Sequence, residues 1–327
     1  MRVIVAENIG FCFGVKRALD MAHALAAKES RVYTLGELIH NSYVTRELEK
    51  EGVFAIEKPE DAPRGAAVLI RSHGVSPDVI DKCRAVGLEV HDATCPFVER
   101  IHDEVKKNSS AGYRTVIFGD PEHPECIGIN GCCGNTAFFI KDAKDVEKLN
   151  PGEKICVVAQ TTASAEEFER ICGAIRQKHY PAKIMNTLCS ATKKRQEEAA
   201  GLSAICTKML VIGDRHSSNT AKLTEVCKKS CRNVYSASKV NELPLEKIIA
   251  NDIIGIVSGA SAPDAIIWEV VTRMSELEKT MAENPVENEE VKAEAAATVE
   301  EPVVNEPSAE CTAECKCECE AKEEAPA

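Results

Sequence analysis

Cys12, Cys95 and Cys189 stand 83 and 94 residues apart in similar surroundings, VAENIGFCFGVKRAL, LEVHDATCPFVERIH and KIMNTLCSATKKRQ. Each follows a short extended run and opens a helical pattern. The first turns of those patterns carry cations: Lys16 and Arg17, Arg100, then Lys193, Lys194 and Arg195. A thiol in such a place faces unpaired helix N–H groups and positive side chains, and both favour the thiolate that metals bind. The gaps match one small α/β unit each, which predicts a triplicated fold presenting one ligand per unit. Three thiolates leave a tetrahedral centre one ligand short, and they lack the close C-x2-C pairing of closed structural zinc sites. An all-sulfur set fits an iron–sulfur cluster as well as it fits zinc, and a [4Fe–4S] cube held by three cysteines leaves one iron open.

The elements that must position these thiols are legible as alternating β-rich apolar runs and amphipathic stretches, the pattern of a parallel α/β architecture. Strands are expected near 2–8, 31–36, 67–71, 88–92, 114–119, 136–140, 154–159, 182–187, 208–213, 233–236 and 253–258. Clear helical patterns occupy 14–28, 76–86, 96–110, 164–179, 190–204, 218–230 and 263–280, the last with Pro263 in its first turn. Ligands of open parallel sheets bind beyond the carboxyl ends of strands, so polar residues gathered at those junctions carry weight. In order they are His40 and Asn41; Ser72 and His73; Cys95; His123 and Glu125; Gln160, Thr161 and Thr162; Cys189; Ser217, Ser218 and Asn219; and Ser261 with Asp264. With Cys12 closing the set, they form three groups of two polar junctions followed by a cysteine. The arrangement predicts a ring of three similar units, with the chain start tucked into the last. Imidazoles, hydroxyls, amides and helix N-termini on one side make a cradle for a phosphate or diphosphate. No G-x-x-x-x-G-K-[ST] or G-x-G-x-x-G segment supports ATP or dinucleotide chemistry.

Composition narrows the setting. Sixteen cysteines in a chain of 327 residues that opens MRVIVAENIG, without a charged or apolar leader, point to a reducing cytoplasmic protein with mostly free thiols. No apolar run approaches a membrane span, so no membrane partner is expected. Residues 281–327 hold 14 Glu and 3 Lys of a chain whose net charge is −12, leaving the remainder nearly neutral and without a nucleic-acid face. That segment has no aromatic residue and is expected to be a disordered acidic tail, in which Cys311, Cys315, Cys317 and Cys319 are incidental thiols, the alternative being a soft-metal or redox role.

The segments GFCFGVKRA, HNSYV, SHGV, DATCPFV, HPE, QTT, CSATKKRQ, SSN and GASAPD closely resemble the signatures of the 4-hydroxy-3-methylbut-2-enyl diphosphate reductase family, over residues 1 to about 280. The resemblance implies a trefoil of three parallel-sheet α/β domains around a central [4Fe–4S] cluster: 13–95, 96–188 and 189–280, with 1–12 completing the third and 281–327 as the tail. It implies the last step of the non-mevalonate isoprenoid pathway, in which the substrate hydroxyl binds the open iron and is removed reductively, giving isopentenyl and dimethylallyl diphosphates. By the same resemblance Cys12, Cys95 and Cys189 are cluster ligands. His40, His73, His123, Ser217, Ser218, Asn219 and Ser261 bind substrate, Glu125 donates a proton, and Thr161 positions the hydroxyl or a water. Two electrons are needed and one cluster passes one at a time, so a ferredoxin or flavodoxin donor is expected rather than NADPH.

The chain departs from the family in its acidic tail, unlike the RNA-binding repeats some members append, and in Cys126, Cys132 and Cys133, which follow the His123 junction closely enough to leave coordination open. Cys83, Cys172, Cys206, Cys227 and Cys231 read as apolar side chains within helices and Cys156 as one within a strand. The rival readings are a non-catalytic iron–sulfur sensor or cluster carrier, and a zinc-dependent phosphate-ester hydrolase.

Overall fold

Twelve short strands and nine α-helices build one arrangement three times over residues 1–283, the residues that the computed structural model describes. The chain opens with β1 (Arg2–Val5) and α1 (Phe13–Ala26). The first complete sheet contains β2 (Val32–Leu35), β3 (Val53–Ile56), β4 (Ala67–Ile70) and β5 (Glu89–Asp92), in the order β3-β2-β4-β5. The second contains β6 (Arg114–Phe118), β7 (Phe138–Ile140), β8 (Ile155–Ala159) and β9 (Ala182–Ile184), in the order β7-β6-β8-β9. The third joins β10 (Lys208–Ile212), β11 (Asn233–Ala237) and β12 (Ile253–Ser258) to β1, in the order β11-β10-β12-β1. Every pairing is parallel, and β1 runs beside β12 with Arg2 opposite Ile253. The fold is therefore three parallel-sheet α/β units, with the first strand of the chain completing the last sheet.

Strand composition explains position within each sheet. The inner strands VYTL, AVLI, ICVVA and KMLVI are buried throughout, as strands covered on both faces must be. The outer strands β1, β5 and β9 mix exposed and partly buried residues. Crossover helices cover the faces. In α6 (Ala165–Gln177) the buried residues Phe168, Ile171, Cys172 and Ile175 fall on one stripe and pack against Val116, Phe118 and Val157. Each large side chain so buried stabilises the unit by about 1.5–3 kcal/mol.

Three elements lie outside the sequence expectation. The edge strand β3 is only four residues, VFAI, flanked by charged residues. Helix α2 (Ser42–Lys50) buries only Val44 and Leu48, and α5 (Pro124–Gly131) contains two glycines, so neither has a strong apolar period. The last helix, α9 (Asp264–Glu283), begins after Pro263, whose carbonyl accepts from Ile267, and runs three residues into the segment assigned to the tail. The other helices are α3 (Pro77–Ala85), α4 (Pro96–Ser110), α7 (Ser190–Ile205) and α8 (Ser218–Lys228). The rest of the expected disordered tail, with its four cysteines, lies outside the described residues.

Candidate active site

The three cysteines occupy equivalent places. Each follows the outer strand that pairs with the third strand of its sheet, and each is the N-cap of the next helix: Cys12 of α1, Cys95 of α4, Cys189 of α7. All three have extended backbone with φ of −73°, −60° and −72°, and none uses its side chain as a cap. Each N–H donates at 3.0 Å to a carbonyl at the end of the neighbouring strand: Cys12 to Ala260, Cys95 to Ser72, Cys189 to Thr161. The backbone is thus pinned while the sulfur is left free to point inward.

The loops before the cysteines are braced by arginines. Arg17, one turn after Cys12, donates to the carbonyls of Thr94 and Asp92 just ahead of Cys95. Arg195, buried one turn after Cys189, donates to the carbonyls of Asn8 and Gly10 just ahead of Cys12. These cations brace neighbouring loops, and Arg195 also acts electrostatically on the Cys12 and Cys189 thiols. Cys189 is set by a hydroxyl: Thr187 Oγ1 accepts from Ala159 N at 2.7 Å and donates to Ala159 O at 2.6 Å. That replaces ladder bonds and lets the chain leave the sheet at Ile184, short of the end at 187 that the sequence predicts.

Fourteen residues singled out in the sequence line one cavity: Cys12, Cys95 and Cys189 with His40, Ser72, His73, His123, Glu125, Thr161, Thr162, Ser217, Ser218, Asn219 and Ser261, whereas Asn41, Gln160 and Asp264 do not line it. The polar ones come from the ends of the two inner strands of each sheet. Gly14 also lines it, and a Cβ there would fall 2.7 Å from Cys95 Sγ, so the thiol occupies room only glycine leaves. Thr192 completes its polar wall.

Among the described residues, His40, His73 and His123 are the one trio of possible His, Cys or carboxylate ligands whose ligand atoms lie within 4.8 Å of one another. Cys12, Cys95 and Cys189 line the same cavity, so three thiols from three separate units are available there to an iron–sulfur group. Burial raises the Cys95 pKa, outweighing the helix N–H groups of Phe97 and Val98, and negative charge on Cys12 and Cys189 raises it further. The expected thiolate-favouring helix start is thus overridden at Cys95, and a metal must displace its proton.

In the same cavity the three imidazoles cluster, with ring centroids 4.6, 5.6 and 5.5 Å apart. Burial lowers the pKa of all three, that of His123 to about 4. His123 Nδ1 accepts from Glu125 N, so the neutral ring keeps its proton on Nε2, a donor. Several polar atoms around the cavity are buried without partners: His40 Nε2, His73 Nδ1, and both amide atoms of Asn219. Such groups are costly unless a bound molecule satisfies them.

Glu125 is 2 % exposed and lies in the first turn of α5. Its Oε1 accepts from Thr161 N at 2.6 Å and its Oε2 from Thr161 Oγ1 at 2.7 Å. Those bonds favour the carboxylate, yet desolvation wins and raises its pKa to about 7. Thr161 engages this carboxyl group. Ser218 is tied to Thr162 and Gln160, while Asn41 caps α2 and donates to Ser261 O, fixing the two polar turns against each other.

Among the described residues, the other cysteines do not line the cavity. Cys126, Cys132 and Cys133 pack in an apolar cluster with Ile101, Ile117 and Val158, and burial raises the Cys132 thiol to about 11. Cys83, Cys172 and Cys227 lie in helices and Cys156 in β8. Cys206 and Cys231 instead lie beyond the ends of α7 and α8, a correction, although both are buried.

The profile of a family described as LytB protein matches residues 3–275. A protein of Caldanaerobacter subterraneus subsp. tengcongensis named 4-hydroxy-3-methylbut-2-enyl diphosphate reductase is 42% identical over 281 residues, 85% of this chain and 98% of that one. One of the same name from Clostridium acetobutylicum is 43% identical over 281 residues, 84% of this chain but 44% of that longer one. Among solved structures, the E-1-hydroxy-2-methyl-but-2-enyl-4-diphosphate reductase of Plasmodium falciparum matches with a TM-score of 0.78 at 28% identity, over 83% of this chain and 87% of that one. A structure described as (E)-4-hydroxy-3-methyl-but-2-enyl diphosphate reductase, the terminal enzyme of the non-mevalonate pathway, matches with a TM-score of 0.63 at 37% identity, over 84% of this chain and 100% of that one.

Proposed function

Because the chain belongs to the LytB protein family, we propose that it is an oxidoreductase that removes the allylic hydroxyl of 4-hydroxy-3-methylbut-2-enyl diphosphate, giving isopentenyl and dimethylallyl diphosphates. The observation that carries this reading is the meeting of three inward thiols, an imidazole trio and a buried carboxyl of raised pKa in one cavity. Cys12, Cys95 and Cys189 would hold a [4Fe–4S] cluster. That group supplies electrons one at a time and a Lewis-acidic iron.

The protein's own residues do the rest. His40, His73, His123, Ser217, Asn219 and Ser261 offer donors to the diphosphate, and the unpartnered amide and imidazole atoms gain the bonds they lack. Glu125 holds a proton near neutral pH and delivers it to the departing oxygen, which leaves as water. Thr161 keeps that carboxyl in one rotamer. The balance is one C–O bond broken and one C–H bond formed, at the expense of two electrons and two protons. A ferredoxin or flavodoxin, each a one-electron carrier, is the donor. A non-catalytic sensor or carrier has no use for the Glu125–Thr161 pair.

The test is anaerobic. Iron-loaded protein should convert the hydroxylated diphosphate when a one-electron donor is supplied, and its iron–sulfur spectrum should change on adding that substrate alone. Turnover with NADPH and no carrier would refute the donor assignment, and an indifferent spectrum would refute the site.

A further inference from the structure

A diphosphate brings more than one negative charge, yet among the described residues no lysine or arginine lines the cavity. Burial and mutual repulsion keep the three imidazoles neutral, so they offer donors but no net charge. An anion taken out of water with no counter-charge is strongly disfavoured.

One cation stands a layer behind. Arg71 directly follows β4, two residues ahead of His73, and shares with His40 the wall of an adjoining groove. Its guanidinium lies against Gly36, whose φ is +68°, and a Cβ there would sit 2.7 Å from Nη1. Among the described residues Arg71 makes no ion pair and no side-chain hydrogen bond, and its Nε is buried without a partner. Glu37 and Glu57 act on it only from beyond ion-pair distance. Asp214 and His216 act on His40, and Asp120 acts on His123, but Arg71 is the one charged side chain that acts on all three imidazoles. A half-buried guanidinium whose Nε is shut off from water without a partner is costly to keep, and its field falls where the anion would lie.

We propose that Arg71 is the fixed positive charge of the diphosphate cradle, a positioning residue that acts across His40 and His73 and lets an anion bind while the imidazoles stay neutral. This rests on the diphosphate reading. Without Arg71 the imidazoles would titrate more easily, and the cradle would depend on their protonation.

Inorganic diphosphate is titrated into the anaerobic, iron-loaded full chain in chelator-treated buffer, comparing wild type with Arg71→Gln and Arg71→Lys at pH 8 and pH 6. Comparing proteins at one pH cancels the ligand's own ionisation. Arg71→Gln should bind about 10- to 100-fold more weakly at pH 8, with a clearly smaller deficit at pH 6, and Arg71→Lys should stay within about tenfold of wild type at both. Equal affinity of wild type and Arg71→Gln at pH 8, or a deficit that does not change with pH, overturns the proposal. Should Arg71→Gln not fold, an NMR titration of the wild-type imidazoles decides: neutral rings in the diphosphate complex at pH 8 support Arg71, whereas full protonation of all three overturns it. Failure of wild type to bind diphosphate at either pH would instead sink the cradle itself.

Discussion

Glu125 has two bonds that favour its charged form and a desolvated setting that favours its neutral form, and the second prevails. Because its folded pKa of about 7 lies above the ordinary 4.5, the stability tied to it is full below about pH 4.5 and is lost as pH rises through 7. The difference amounts to about 3 kcal/mol at most. Glu125→Gln should therefore keep its iron, lose about 10²- to 10⁴-fold in turnover, and show a melting temperature less sensitive to pH between 5 and 8 than wild type. Its residual activity should also lack the falling limb that wild type shows above about pH 7. A variant retaining both full turnover and that limb would exclude the proton-donor role.

At the scale of elements, the same device recurs three times: an outer strand, a backbone bond to the neighbouring strand end, and a helix that begins at a cysteine. Gly14→Ala separates fold from site in this device. Alanine favours the helix by up to about 1 kcal/mol, but its Cβ collides with Cys95 Sγ. A chain of near-normal melting temperature that retains much less iron per molecule is the expected result, measured by denaturation and metal analysis. Thr187→Val strands the N–H and C=O of Ala159 and should cost about 1–3 kcal/mol in denaturant unfolding. The cysteine–helix junctions were legible because a thiol, a cation-bearing first turn and an apolar period lie within one short stretch of sequence. The Thr187 brace and the reach of Arg17 and Arg195 were not, because they join segments whose proximity only the tertiary fold creates. Helix α5 escaped for a local reason, since PECIGING carries two glycines, although its first residues, His123 to Glu125, stood out chemically.

For the whole molecule, the described residues contain every side chain placed in the cavity, and none of their helices is long and apolar enough to cross a membrane. A chain ending at residue 283 should keep the turnover and iron content of the full protein within about twofold, a difference of about 0.4 kcal/mol or less in activation free energy. A larger loss in cluster-loaded protein would assign work to the acidic segment. The pairing of β1 with β12 also orders events in time. Cys12 leaves the ribosome first, yet the neighbour that holds its backbone, Ala260, emerges near the end of synthesis. Assembly of the proposed cluster would then wait for nearly the entire polypeptide, so a nascent chain halted before residue 260 should carry two of the proposed sulfur ligands in place and a third still adrift.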